Sequence, residues 1–220
     1  MIDYSKLVVH YKYTKTMTIE TRTAEHVLER WKTKHIFEFM ENKPIEFHLS
    51  PEYTYNGKHY TQITLDMDIS RTHKREGSTE KQMIEDLKNI MKNLKTDFHI
   101  EFTGNGYRIV SDVAWSDLEL DKARQIALQN KELYPSLDAV TSFRKMPIAR
   151  IGTNDTYRTI LFVPKNQATN FGTLKSKSKK KPSEIMSKDV WLKLFETYWF
   201  PKKFLNSGGM DVIQRLFSRG

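Results

Sequence analysis

The chain has no cysteine and no run of eighteen apolar residues. Without cysteine there is no disulfide framework, no iron–sulfur cluster and no cysteine-held zinc, so any metal must be held by oxygen or by histidine. Without a long apolar run there is no candidate for a membrane-spanning helix, and no membrane partner is expected. The opening residues, MIDYSKLVVHYKYTK, also lack the basic, apolar, small-residue order of a signal peptide. An intracellular protein, cytoplasmic or nucleoid-associated, is the expectation.

What is present is enough to build a core. The 220 residues, 38% apolar and 12% aromatic, suit one large domain or two small ones. Lys and Arg number 36 against 27 Asp and Glu, for a net charge of +9. That balance favours a polyanionic partner, nucleic acid or an acidic membrane surface.

Periodicity orders the chain. Residues 21–42, TRTAEHVLERWKTKHIFEFMEN, start with a Thr able to cap and space their apolar residues as a helix does. PIEFHLS and HYTQITLDMDIS alternate as strands around the reversal signal Asn56-Gly57. A polar, basic loop, SRTHKREGS, precedes a helix in TEKQMIEDLKNIMKNLK, where Met83, Ile84, Leu87, Ile90, Met91 and Leu94 form one stripe. DFHIEFTGNGYRIVSDVAW reads as a hairpin, and SDLELDKARQIALQNKEL as a helix opened by a Ser-x-x-Glu capping box. LDAVTSF and RTILFVP supply further strands. The alternation predicts an α/β (α+β) fold, a mixed sheet with helices packed on it. Residues 171–183 are lysine-rich and apolar-poor and read as a basic linker or loop, and 184–220 read as an aromatic-rich helical segment packed on the core.

The stretch TLDMDIS (64–70) raises a question of charge. Alternate residues of a strand share a face, so Asp66 and Asp68 stand together, about 6–7 Å apart, opposite Leu65, Met67 and Ile69. Like charges so placed cost stability unless a cation sits near them. Mg²⁺ or Mn²⁺ would supply one, as hard ions bound by a few carboxylates and by substrate phosphates. By itself D-x-D is also a common accident on a solvated sheet face. In FTGNGYRIV, Gly104 and Gly106 flank a tight turn whose backbone N–H groups can approach an anion, with Thr103 before it and Arg108 just after. In SLDAVTSFRKMPIARIGT, Asp138 is followed by Arg144, Lys145 and Arg150. Each stretch alone fits an ordinary hairpin or a surface acid beside a basic loop.

In sequence order, ITLDMDI, TGNGYR and LDAVT resemble the hhhDhD, S-G-x-G-x-H and h-D motifs of the archaeo-eukaryotic primase superfamily, over roughly residues 45–165. The resemblance implies a primase-polymerase-like catalytic domain in 1–170 with an RNA-recognition-motif-like unit, acting as a nucleotidyltransferase in DNA replication. It implies that Asp66, Asp68 and Asp138 hold Mg²⁺ or Mn²⁺, and that Thr103, Gly104, Gly106 and Arg108 meet the nucleotide. Arg144, in RKMP, or Arg150, in RIGTN, corresponds to the family's nucleotide-contacting arginine. The chain departs from the pattern at Arg108, where the family carries histidine, and RIGTN lacks the family's proline. The expected partners are nucleoside triphosphates and a single-stranded DNA template held by Arg71, Lys74, Arg75 and Lys145 and the 175–181 lysines, with Tyr107 or Phe143 as stacking platforms. The C-terminal helix is a candidate dock for a helicase or another replication protein, and the compact chain suggests a plasmid, viral or mobile-element source.

Two rivals belong to other classes. TGNGYRIV also resembles a strand of an RNA-recognition motif, which would make the protein a noncatalytic single-stranded nucleic-acid-binding module or a replication-initiation subunit. A rolling-circle initiator would carry an H-x-H pair, and His10, His26, His35, His48, His59, His73 and His99 contain none.

Overall fold

A computed structural model describes residues 2–13, 18–33, 37, 48–69, 78–145, 148–150 and 156–218. Its strands are β1 (Val8–Tyr13), β2 (Thr18–Thr23), β3 (His48–Tyr55), β4 (Lys58–Asp68), β5 (Phe98–Phe102), β6 (Gly106–Trp115), β7 (Leu137–Thr141), β8 (Arg144–Lys145), β9 (Ile148–Arg150), β10 (Tyr157–Thr159), β11 (Leu161–Val163), β12 (Lys177–Ser178) and β13 (Lys203–Leu205). The helices are α1 (Ala24–Thr33), α2 (Glu80–Asn93), α3 (Leu120–Gln129), α4 (Pro182–Ile185), α5 (Lys188–Trp199) and α6 (Gly209–Leu216). Mixed α/β architecture is what the sequence pattern predicts.

Strand β4 organises the large sheet. Its first residues pair with β3 across Asn56-Gly57, whose φ values of 50° and 74° make the tight reversal that suits twisted strands. Thr64–Met67 pair instead with β7, while β6 runs antiparallel along nearly all of β4. The path is β11-β5-β6-β4-β3-β1-β2, with β7 on β4, β8 on β3 and β13 on β6, and β12-β10-β9 form a small separate sheet. Within this, β4-α2-β5-β6-α3-β7 is a β-α-β-β-α-β unit whose strands lie in the order β5-β6-β4-β7.

Two hydrophobic clusters hold the sheet. Ile63, Leu65 and Met67 turn to one face and pack with Met83, Leu87 and Ile90 of α2, Ala123 of α3 and Val212, Ile213 and Leu216 of α6. Each such side chain, fully buried, contributes about 1.5–3 kcal/mol. Thr79 starts α2 by accepting a hydrogen bond from the Gln82 N–H at 3.2 Å. Leu7, Val9 and Tyr11 form the second cluster with Val27, Leu28 and Trp31 of α1 and Trp191, Phe195 and Trp199 of α5.

Several details differ from the sequence pattern. Helix α1 is capped by the Thr23 hydroxyl, which accepts from the His26 N–H, rather than by Thr21. The Ser116 capping box does not form: Ser116 donates its N–H to the Leu205 carbonyl and its hydroxyl to the Asn206 carbonyl, and α3 starts at Leu120. RTILFVP is broken into β10 and β11, which belong to different sheets. The lysine-rich 171–183 stretch carries strand pairing, since Lys177–Ser178 lie antiparallel to Tyr157–Arg158 and the Ser176 carbonyl accepts from the Thr159 N–H.

Candidate functional site

Alternation along β4 sends Thr64, Asp66 and Asp68 to the face opposite the α2–α3 core. Register then sets their neighbours. Asp68 lies opposite Gly106 and Asp66 opposite Arg108 on β6, and Arg108 lies opposite Glu101 on β5. Asp66, Arg108 and Glu101 therefore form a row across three strands.

Arg108 is a cation beside the first acid of the pair. Its Nε is 3.5 Å from Asp66 Oδ1 and its Nη1 is 3.5 Å from Glu101 Oε2. Arg144, at the start of β8, reaches the same Glu101 from the other side, with Nη2 2.5 Å from Oε1, and also donates to the Tyr198 carbonyl at 2.8 Å. Its guanidinium carbon lies 5.2 Å from the centre of the Trp199 ring. His99 joins Glu101 to Asp112, at 3.1 and 2.8 Å, and the Lys202 ammonium pairs with Asp112 at 3.1 Å. Burial works to raise the pKa of Glu101, but Arg144, His99 and Arg108 outweigh it and hold the carboxyl far below the usual range. The same contest, with His99 and Lys202 prevailing over burial, lowers the pKa of Asp112.

Packing requires glycine in the 103–106 turn. A Cβ on Gly106 would overlap the Met67 carbonyl oxygen, and Gly104, at φ +95°, faces the Ser176 hydroxyl with no room for a side chain. The Thr103 N–H and hydroxyl both donate to the Gly106 carbonyl, and the Ile69 N–H donates to the Asn105 carbonyl at 3.3 Å. The Thr103 bonds close the turn, and the Ile69 bond docks it on the end of the D-x-D strand.

The structure thus brings together Asp66, Asp68, Thr103, Gly104, Gly106 and Arg108, and adds Arg144 through Glu101. Asp138 is the extra residue of a bulge in β7, between Leu137 opposite Met67 and Ala139 opposite Asp66. It is exposed and lines a groove of about 230 Å³ with Arg124 and Lys131. Among the described residues no group of three or more His, Asp or Glu side chains is placed to hold a metal ion. Lys145 pairs with His48 through the backbone, and Arg150 sits in the small sheet opposite Tyr157. Arg71, Lys74 and Arg75 lie outside the described residues.

One expectation is corrected. Tyr107 is fully buried, with its ring 5.8 Å from Phe102 and 5.6 Å from Phe171, and so has no face open to a nucleobase. Sequence reasoning also missed His99 and Glu101, although both break the apolar alternation of Phe98, Ile100 and Phe102 as the two Asp residues break that of β4.

The D-x-D carboxylates suit a hard divalent cation. Asp66 Oδ1 is buried and accepts no hydrogen bond, while the side chain as a whole retains 25% exposure. Arg108 occupies the position of counter-charge. No protein family, curated protein or solved structure matches the chain.

Proposed function

We propose that this protein is a nucleotidyltransferase, a DNA primase or primase-polymerase that joins nucleotides from nucleoside triphosphates along a single-stranded DNA template. The observation that carries the reading is the register of β4 on β6: Asp68 against Gly106 and Asp66 against Arg108. Through it the D-x-D strand and the T-G-N-G-x-R turn, distant in sequence, form one surface. The β-α-β-β-α-β unit beneath them is a split βαβ, which supports an RNA-recognition-motif-like unit inside a primase-polymerase-like core.

In this reading a primer 3′-hydroxyl, or an initiating nucleotide, attacks the α-phosphate of a triphosphate and pyrophosphate leaves. Mg²⁺ or Mn²⁺ held by Asp66 and Asp68 would supply charge stabilisation for the attacking and leaving oxygens, while Asp138, which lies in the groove with Arg124 and Lys131, would have to turn toward them to join as a third ligand. Gly104 and Gly106 let the turn's backbone approach the triphosphate. Arg108, always charged, offers it a two-pronged donor. Arg144 is bonded to Glu101 and to the Tyr198 carbonyl, so it positions rather than touches substrate, which leaves Arg150 for the family's direct nucleotide contact. A helicase or other replication partner would meet α5 on its exposed side, at Val190, Lys193 and Glu196, because the aromatic side is buried.

The test is incorporation of labelled nucleotides on single-stranded DNA with Mn²⁺ or Mg²⁺, with and without an annealed primer. Product made by the wild type and abolished in Asp66→Ala/Asp68→Ala supports the reading, and the unprimed reaction separates initiation from extension. A fully active double variant removes the two acids from the chemistry. A noncatalytic single-stranded nucleic-acid-binding module is the second reading, favoured by the pairing of Asp66 with Arg108. Tight DNA binding without product under any condition would select it.

A further inference from the structure

We infer that Arg108 is a resident counter-ion that exchanges partners, leaving Asp66 for the phosphates of an incoming triphosphate, and so couples cation binding at Asp66 to nucleotide binding. The inference rests on the nucleotidyl-transfer reading of the same surface.

Geometry is the first support. Arg108 stands between two carboxylates with 3.5 Å to each, and neither its Nε nor Asp66 Oδ1 makes a hydrogen bond. A charge-assisted pair at its optimum lies near 2.7–2.9 Å. Arg108 is therefore attracted to both acids without being clamped by the Asp66 side.

The second support is the difference between those two acids. Glu101 has another cation, with Arg144 Nη2 at 2.5 Å, so its charge stays balanced if Arg108 turns away. Asp66 has no second cation within ion-pair distance among the described residues. At Asp66, Arg108 and a divalent ion are thus alternatives.

The third support is charge and burial. The row and its neighbours hold three carboxylates, Asp66, Glu101 and the adjoining Asp68, and two guanidiniums, Arg108 and Arg144. Arg108 is only 2% exposed, so water screens its charge poorly, and a dication arriving at Asp66 meets an almost undiminished like charge. A histidine at this position could be neutral at pH 7, whereas an arginine cannot lose its proton. Drawing the guanidinium off requires an anion, and the triphosphate is the anion that this reading brings to the turn. Because coupling is reciprocal, nucleotide and cation each raise the other's affinity.

The experiment is a titration of Mn²⁺ alone, without nucleotide, followed by the electron paramagnetic resonance signal of the free ion. Wild type, Arg108→Gln, Asp66→Asn, and Arg108→Gln combined with Asp66→Asn are compared. Removal of one unit charge a few ångströms from the ion should make Arg108→Gln bind Mn²⁺ at least about tenfold more tightly than wild type, and Asp66→Asn should erase that gain. The Glu101–Arg144 pair remains intact in Arg108→Gln. If that variant fails to fold, Arg108→Met fills the buried volume without charge and takes its place. Equal Mn²⁺ affinity in wild type and the Arg108 variant, both dependent on Asp66, overturns the exchange and leaves the metal reading standing. Mn²⁺ binding that ignores Asp66 in every variant overturns the exchange together with the metal reading beneath it.

Discussion

Arg144 and Glu101 meet across 2.5 Å where their side chains are 0% and 2% exposed, so each is the condition for burying the other. Breaking such a pair leaves an uncompensated charge in a low-dielectric site, at a cost of about 3–5 kcal/mol. Glu101→Gln should lose about that much stability, read from urea denaturation midpoints. Replacing both partners by apolar residues, Glu101→Leu with Arg144→Met, should cost less than the sum of the two single changes, because no orphaned charge remains between them, although Arg108 still loses one of its two acids.

Acid should weaken the protein in two separable ranges. Glu101 and Asp112 have folded pKa values below their unfolded ones. Their contribution is therefore complete above the unfolded values of about 4.3 and 3.9 and is lost as pH falls below them. His10 is lowered by burial and by His59, so its contribution is present above an unfolded value of about 6.5 and fades below it. Denaturation midpoints should slip slightly between pH 7 and 5 and fall steeply below 4. Glu101→Gln should flatten the lower limb and His10→Gln the upper one.

Two glycines should respond differently to alanine. Gly57 has φ +74°, and a Cβ added there would meet nothing within 4 Å, so Gly57→Ala should cost only the backbone strain, about 1 kcal/mol. Gly106 lies against the Met67 carbonyl and the Asp68 backbone, so Gly106→Ala must push β6 off β4 and should cost more than about 2 kcal/mol. Thermal unfolding measures both. Gly106→Ala should also abolish nucleotide incorporation, because the same displacement separates the turn from the acids.

The sequence makes local patterns visible and hides what needs a distant partner. The acid face of β4, the stripe of α2 and the hairpin around Gly104-Asn105-Gly106 are legible because side-chain period alone determines them. Glu101 was legible in principle, as a polar break in an apolar strand. Its pairing with Arg144 was not, since those residues meet only when β8 is laid against β3. Ser116 shows the opposite failure: its capping box is a sound local signal, overridden by the Leu205 and Asn206 carbonyls. The three residues of β13 are too short for any period to register, and Tyr107 reads as available for stacking until the core closes over it.

Trp191 is fully buried between the rings of Trp31, at 5.5 Å, and Phe195, at 5.1 Å. Trp191→Ala should cost about 3–5 kcal/mol, measured by denaturant unfolding. Deletion of residues 188–218 should yield a chain with no cooperative transition, since both hydrophobic clusters draw on it.

That dependence also imposes an order in time. Leu7, just before β1, and Val9 within it wait for Trp191 and Phe195, and the D-x-D strand's own core face waits for Val212, Ile213 and Leu216. Strand β13, running parallel to β6, joins after every other strand has been made. Contacts of such long sequence separation are slow to close, and a chain emerging from the ribosome exposes its apolar strand faces until they do. During synthesis the site's two halves exist long before the structure that aligns them, and that nascent interval is when the protein is most open to chaperones and to aggregation.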